Sequence, residues 1–312
     1  YAAAQLGLPD LLADGPRSTE LLAQATRTQA PSLFRLLRAL ASCGLLHEET
    51  PGVFANTTLG SALRAGAPGA ARATILTLAG DWQWKAWDHF LHSLRTGKPG
   101  LERAFGQELF DYLAAHPTDE VLFNEAMVGM HGAVGPAVVQ ACDFLRFASI
   151  VDVSGGTGSL LATILRANQR LRGVLFEQPK TACEARDFLN QSDVAGRCEV
   201  VEGDFFAAVP SGHDAYVLAH VLHDWNDDQS IAILRNCRRA IADGRLLIIE
   251  AVLPVGDTPH HGKMMDLLML TVTGGRERTI VEFEAILAAA GFRLNQVIPT
   301  STHQSIIEAT RF

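Results

Sequence analysis

The sequence predicts an α/β protein in two parts. A mainly α-helical, winged-helix-like domain is expected over residues 1–145, followed by a Rossmann-like, doubly wound domain over residues 146–312. Three observations predict it. The 312 residues fit two domains at roughly 100–200 residues each. The first part reads helical apart from one hairpin. From Ile150 onward, short apolar runs alternate with helical patterns, the signature of a largely parallel sheet.

In the first part, Ser18 to Ala25 reads as a short helix with Ser18 as N-cap and Leu21-Leu22 turned inward. Pro31-Ser32 opens a second helix, along which Leu33, Leu36, Leu37 and Leu40 recur at helical spacing. Gly44 ends it, and Leu45–Glu48 and Val53–Asn56 flank Pro51-Gly52 as a hairpin. Helix, helix, hairpin is also the outline of DNA-binding proteins, so a winged-helix regulator is one reading. Its recognition helix would offer only Arg35 and Arg38, whereas phosphate contacts need clustered positive charge. An oligomerisation domain is the preferred reading.

The second part places apolar runs at Ile150–Val153, Arg172–Glu177, Cys198–Glu202, Ala215–Ala219 and Arg245–Glu250, with helices including Ser159–Arg166 and Asp228–Ile241. Ligands of such sheets bind beyond the carboxyl ends of the strands. The first run passes through Ser154-Gly155-Gly156-Thr157-Gly158 into a helix, a turn that brings backbone amides to a ligand. A dinucleotide fingerprint wants Gly or Ala where Leu161 stands. Glu177 ends the second run, where a carboxylate can accept from both ribose hydroxyls. Asp204 follows the third beside Phe205 and Phe206, an acid and an aromatic wall for an adenine. An acid-lined crevice suits an adenosyl cofactor without phosphates, and a sulfonium above all.

Past the fourth run comes His220-Val221-Leu222-His223-Asp224-Trp225, where a reacting base is expected at His223. Glu250 ends the fifth run and Glu277 lies in Gly275-Arg276-Glu277-Arg278. Either carboxylate can accept from one ring nitrogen, which leaves the other free to take a proton.

Taken in order, VDVSGGTG, FEQP, GDFF, HVLHDWND, IIEAVLP and GGRERT resemble the metal-independent S-adenosylmethionine-dependent O-methyltransferases, the plant caffeate-type and bacterial antibiotic-pathway enzymes. The motifs span Val151 to Phe283, and the helical first part resembles that family's dimerisation domain. The resemblance implies methyl transfer to a hydroxyl of a small aromatic secondary metabolite, a polyketide or phenol, leaving S-adenosylhomocysteine. His223 would be the general base, flanked by Glu250 and Glu277. Ser154, Gly156 and Gly158 would lie under the methionine part, and Glu177 with Gln178 would hold the ribose. Asp204, Phe205 and Phe206 would flank the adenine, Trp225 would cover it, and Asp224 would orient the acceptor. Two positions depart from the family pattern: Ser154 replaces a glycine, and Ala219 stands where many members carry a lysine.

For the acceptor pocket the resemblance points to Trp84, Met127 and His131 on the first part's helices, and to Met265, Asp266 and Met269 on a later one. Adjacent His260 and His261 would point apart on one helix, so no metal chelate is expected. Hydrophobic residues make up 48% and charged ones 19%, ordinary globular usage that excludes a mainly disordered or collagen-like chain. Apolar stretches such as Leu246–Ile249 fall far short of the ~20 residues a membrane helix needs. With 26 basic against 34 acidic side chains, no nucleic-acid footprint stands out. Five cysteines without a CxxC pair read as reduced thiols of a cytoplasmic protein. A homodimer through the first part is the expected assembly. The nearest rival activity keeps the cofactor for its charge and catalyses hydroxylation, decarboxylation or cyclisation instead.

Overall fold

The computed structural model describes residues 1–312. The chain forms two compact units, Tyr1–Trp87 with Leu109–Gly132, and Asp88–Glu108 with Ala133–Phe312. The single boundary expected at residue 145 is thus replaced by three crossings. The physical reason lies in helix packing: Gly100–Phe105 lies against His261–Val272, and Val134–Ala141 against Ser159–Ala167, so these helices belong to the larger unit.

In the smaller unit, β1 (Arg17–Ser18), β2 (Leu46–Thr50) and β3 (Val53–Asn56) form an antiparallel sheet in the order β1-β3-β2. The Ser18 hydroxyl accepts from the Leu21 amide and starts the helix Thr19–Thr26. Leu22 is fully buried, but Leu21 is 56% exposed, which corrects the expectation that both turn inward. Consecutive helical residues do not share a face. Leu22, Leu37 and Phe54 close the core between this sheet and the helix Ala30–Ser42. Elsewhere in the unit, Pro117–His131 packs on Ala71–Leu78. A Cβ at Gly129 would stand 2.4 Å from the Ala70 Cβ, so only glycine permits that approach.

The larger unit is built on β4 (Ser149–Val153), β5 (Arg172–Glu177), β6 (Cys198–Glu202), β7 (Ala215–Ala219) and β8 (Arg245–Leu253), all parallel. The two-residue β9 (Arg278–Thr279) pairs in parallel with the end of β8, Arg278 opposite Val252. Two strands absent from the sequence reading, β10 (Phe292–Pro299) and β11 (Gln304–Arg311), extend the sheet antiparallel. The path runs β10-β11-β8-β7-β4-β5-β6. Successive side chains of β8 point to opposite faces: Leu246 and Ile248 join one buried cluster, Leu247 and Ile249 the other. Both faces are covered, which explains the continuous apolar runs. From β4 the chain steps out to β5 and β6, then returns to β7 on the other side. The strand order reverses at β4, and the crevice beyond the carboxyl ends of β4 and β7 is the place for a ligand. No helix is long and apolar enough to cross a membrane.

The turn after β4 shows what the departure at Ser154 costs. Its φ is +59°, and its amide donates to the Phe176 carbonyl at 2.7 Å. Left-handed backbone costs a residue with a Cβ roughly 1–2 kcal/mol, which is why glycine is the usual occupant. Ser154→Val, branched at Cβ, is expected to lower unfolding free energy by a further ~1–2 kcal/mol, whereas Ser154→Gly stays within ~1 kcal/mol of the parent. Chemical denaturation of the three proteins side by side checks this, and equal stability of the valine variant overturns it.

Candidate active site

At the carboxyl end of β4, Gly156 (φ +57°) has open space where a Cβ would stand, and Gly158 (φ +80°) opens the helix Ser159–Ala167. Glu177, at the end of β5, is buried. Its Oε2 accepts from the Gly156 amide at 3.0 Å and its Oε1 from the Gln178 amide at 2.8 Å. These bonds fix the carboxylate over the glycine turn, while the Gln178 side chain is exposed. Beyond β6, Asp204 is exposed, and its Oδ1 accepts from the Phe206 amide at 2.8 Å. Phe205, Phe206 and Trp225 form an aromatic cluster, with ring centroids 4.8 to 6.0 Å apart. An open glycine turn, a held carboxylate and an acid beside an aromatic wall fit an adenosyl group.

The turn after β7 is a single helical turn, Leu222–Asp224, entered through His220 at φ +54°. The His223 ring is 12% exposed, and its Nδ1 lies 2.9 Å from Glu277 Oε1. A carboxylate accepts, so Nδ1 carries the proton of this bond and Nε2 is the nitrogen that gains or loses the second proton. The nearest acid to Nε2, Asp224, has Oδ1 at 4.0 Å, outside hydrogen-bond reach. The other glutamate has a different task. Glu250 is fully buried, and its Oε1 accepts from the amides of Val221, Leu222 and His223 at 3.2, 2.6 and 3.2 Å. Of the two carboxylates that sequence left open, Glu277 binds the ring and Glu250 binds the backbone beneath it.

Three acids therefore surround one imidazole. Burial pulls the His223 pKa down, but Asp224, the Glu277 bond and Glu250 outweigh it and push the pKa up to about 10. Burial pushes Glu250 up to about 7, with His223 opposing, and raises Asp224. The acids thus favour the protonated form of the imidazole.

The helix His261–Val272 carries Met265, half-buried, and Met269, buried. Asp266 on the same helix accepts from the Glu277 amide at 2.9 Å, which ties the helix to the imidazole's partner. Trp84, Met127 and His131 are carried by the smaller unit. Trp84 is 66% exposed, and the other two are half-buried on Pro117–His131. His260 stands outside its helix as N-cap, its Nδ1 accepting from the Gly262 amide, so the two adjacent histidines do not share a helix.

Two features escaped the sequence reading. Asp152, within β4, is buried with both carboxylate oxygens unpartnered, and burial pushes it up to about 7. An acid inside an apolar run was the available signal. Gly275 was visible as half of a glycine pair, but not its reason: a Cβ there would stand 2.0 Å from the His223 carbonyl oxygen.

Comparison with known proteins gives the family. The O-methyltransferase domain family matches residues 87–293, and the O-methyltransferase dimerisation domain matches residues 1–66. A phenazine O-methyltransferase of Lysobacter antibioticus is 46% identical over 310 residues, covering 99% of this chain and 91% of that protein. An 8-amino-8-demethylriboflavin N,N-dimethyltransferase of Streptomyces davaonensis is 38% identical over 313 residues, covering 99% and 90%. The crystal structure of an O-methyltransferase from neocarzinostatin biosynthesis, in complex with S-adenosylmethionine and 2-hydroxy-5-methyl naphthoic acid, superposes with a TM-score of 0.87 at 33% identity. It covers all of this chain and 94% of that one. The chain belongs to the O-methyltransferase family and is an S-adenosylmethionine-dependent methyltransferase.

Proposed function

We propose that the protein methylates a hydroxyl of a small aromatic secondary metabolite, with His223 as general base. The observation that carries this reading is the 2.9 Å bond from Nδ1 to Glu277, which leaves Nε2 the ring nitrogen not hydrogen-bonded to an acid, Asp224 Oδ1 lying 4.0 Å away. S-adenosylmethionine, when bound, supplies an electrophilic methyl and a positive charge.

A phenol with a pKa near that of tyrosine, ~10, is mostly protonated at neutral pH. His223 Nε2 takes its proton as the oxygen becomes a nucleophile, a contribution of typically 10²–10⁴-fold. Glu277 holds the ring and balances the imidazolium that forms. Glu250 fixes the turn through three amides, so the base is aimed before the acceptor arrives. The cluster's proton must leave first. A positive charge brought to this acidic edge lowers the imidazole pKa, so cofactor binding favours the free base. The methionine part is assigned to Ser154, Gly156 and Gly158, the ribose to Glu177 and Gln178. Asp204, Phe205, Phe206 and Trp225 are assigned to the adenine. The acceptor is assigned to Trp84, Met127, His131, Asp224, Met265, Asp266 and Met269, and residues 1–66 to pairing of two copies.

Relatives include both O- and N-methyltransferases. A neutral aromatic amine attacks without prior deprotonation, whereas a phenol needs the base that His223 and Glu277 form. That difference favours oxygen. With labelled S-adenosylmethionine and a panel of phenolic polyketides and aromatic amines, label is expected in phenols. Label confined to amines, or none in any product, overturns the oxygen assignment. His223→Ala and His223→Gln are each expected to lower turnover at least ~100-fold while cofactor affinity stays within about threefold.

The raised imidazole pKa sets the pH dependence. The folded protein binds this proton more tightly than the unfolded chain. The stability it contributes is complete below about pH 6.5 and is lost as pH rises through about 10. Denaturation of parent and His223→Gln from pH 6.5 to 10 is expected to give a steeper decline for the parent. Parallel curves would contradict the assignment. Over the same range kcat/KM of the parent rises as the free base is exposed.

A further inference from the structure

We infer that Arg278 is a positioning residue for methyl transfer: it locks the carbonyl end of the turn that carries His223, opposite the carboxylate that locks its amide end. The inference rests on the assignment of His223 as base.

Arg278 is fully buried, an unusual place for a guanidinium unless every donor is used. Every donor is used. Nη1 donates to the Leu222 carbonyl at 2.9 Å and to the Arg276 carbonyl at 3.3 Å. Nη2 donates to the Trp225 carbonyl at 2.9 Å, to Asp227 Oδ1 at 2.9 Å and to Ser230 Oγ at 3.0 Å. Nε donates to Asp227 Oδ1 at 3.0 Å. Leu222 and Trp225 bracket the base, and the His223 carbonyl between them accepts from the Arg276 amide at 2.9 Å.

The arrangement matches the polarity of a helical turn. Amides gather at its start, where Glu250 accepts from three of them, and carbonyls at its end, where Arg278 donates. Arg278 also adjoins Glu277, the imidazole's partner, and β9 pins it to β8 opposite Val252, two residues past Glu250. One short segment thus sets both members of the His223–Glu277 pair. A lysine cannot replace it in kind. A single ammonium keeps the charge but lacks the planar fork that spans three carbonyls and a carboxylate.

The test compares the parent, Arg278→Lys, His223→Ala and the double variant for labelled methyl transfer to the best phenolic acceptor of the panel above. Arg278→Lys is expected to lower turnover about ten- to hundredfold, the scale of a small misplacement of a reacting group, with the cofactor Kd within about threefold. In the His223→Ala background the same change is expected to cost nothing further, because it acts only through the imidazole. A second readout needs no acceptor. In the free protein with isotope-labelled histidine, the His223 titration is expected to move at least one pH unit toward 6.5 in Arg278→Lys, although the charge is unchanged. If Arg278→Lys fails to fold, Asp227→Asn, which weakens the same clamp from a half-exposed site, takes its place with a smaller loss of about three- to tenfold. An equal loss in both backgrounds makes Arg278 merely structural and overturns the inference, as does a parent-like variant with an unmoved titration. Full turnover in His223→Ala alone removes the base assignment and this inference together.

Discussion

The structure depends on keeping one imidazole aimed while burying it among acids. The Nδ1–Glu277 bond accomplishes the aiming, but it works only because the turn beneath His223 is itself fixed. A buried turn has amides and carbonyls that must be satisfied, and here charged side chains satisfy many of them, Glu250 the amides and Arg278 the carbonyls. Charge-assisted bonds are shorter and stronger than neutral ones, so the turn is stiffer than an ordinary loop. The sheet supplies the two fixed points. Glu250 leaves β8 from a fully buried position, and the segment containing Glu277 returns to the same strand through β9.

Electrostatics at this edge follow from the same economy of partners. Acids end or follow the central strands, and the arginines beside them, Arg276 and Arg278, are already engaged by Asp227 and Glu282. Such a crevice repels phosphates and attracts a compact cation. It also raises the proton affinity of the imidazole, which the proposed mechanism must offset when the cationic cofactor binds. Protein stability gains from the retained proton, and the role proposed for His223 requires its loss. The two demands pull in opposite directions within one cluster.

Much of this was legible in the sequence because the relevant signals are local. The glycine turn, Glu177, Asp204, His223, Glu250 and Glu277 each follow an apolar run, and the parallel sheet brings those ends together. What stayed hidden was relational. Nothing in composition distinguishes a glutamate that binds a ring from one that binds three amides. The division between Glu277 and Glu250 emerges only when the register of β8 is known. Arg278 looked like one more arginine among polar neighbours, although it is fully buried. The antiparallel pair β10 and β11 was missed because the alternation of β→helix→β ends before it. The chain's three crossings between units were missed because helices carry no sequence mark of which unit they pack on.

Gly275 has a consequence for how such an enzyme can diversify. Its backbone approaches the His223 carbonyl so closely that even one methyl group has no room. Under the acceptor assignment proposed for Met265, substitutions at that helical position reshape what fits beside His223. The glycine two residues before Glu277 admits no side chain at all. Drift in acceptor preference therefore has an open road on one side of the loop and a wall on the other. Libraries that randomise the helix but spare the loop should yield altered selectivity at little expense in rate.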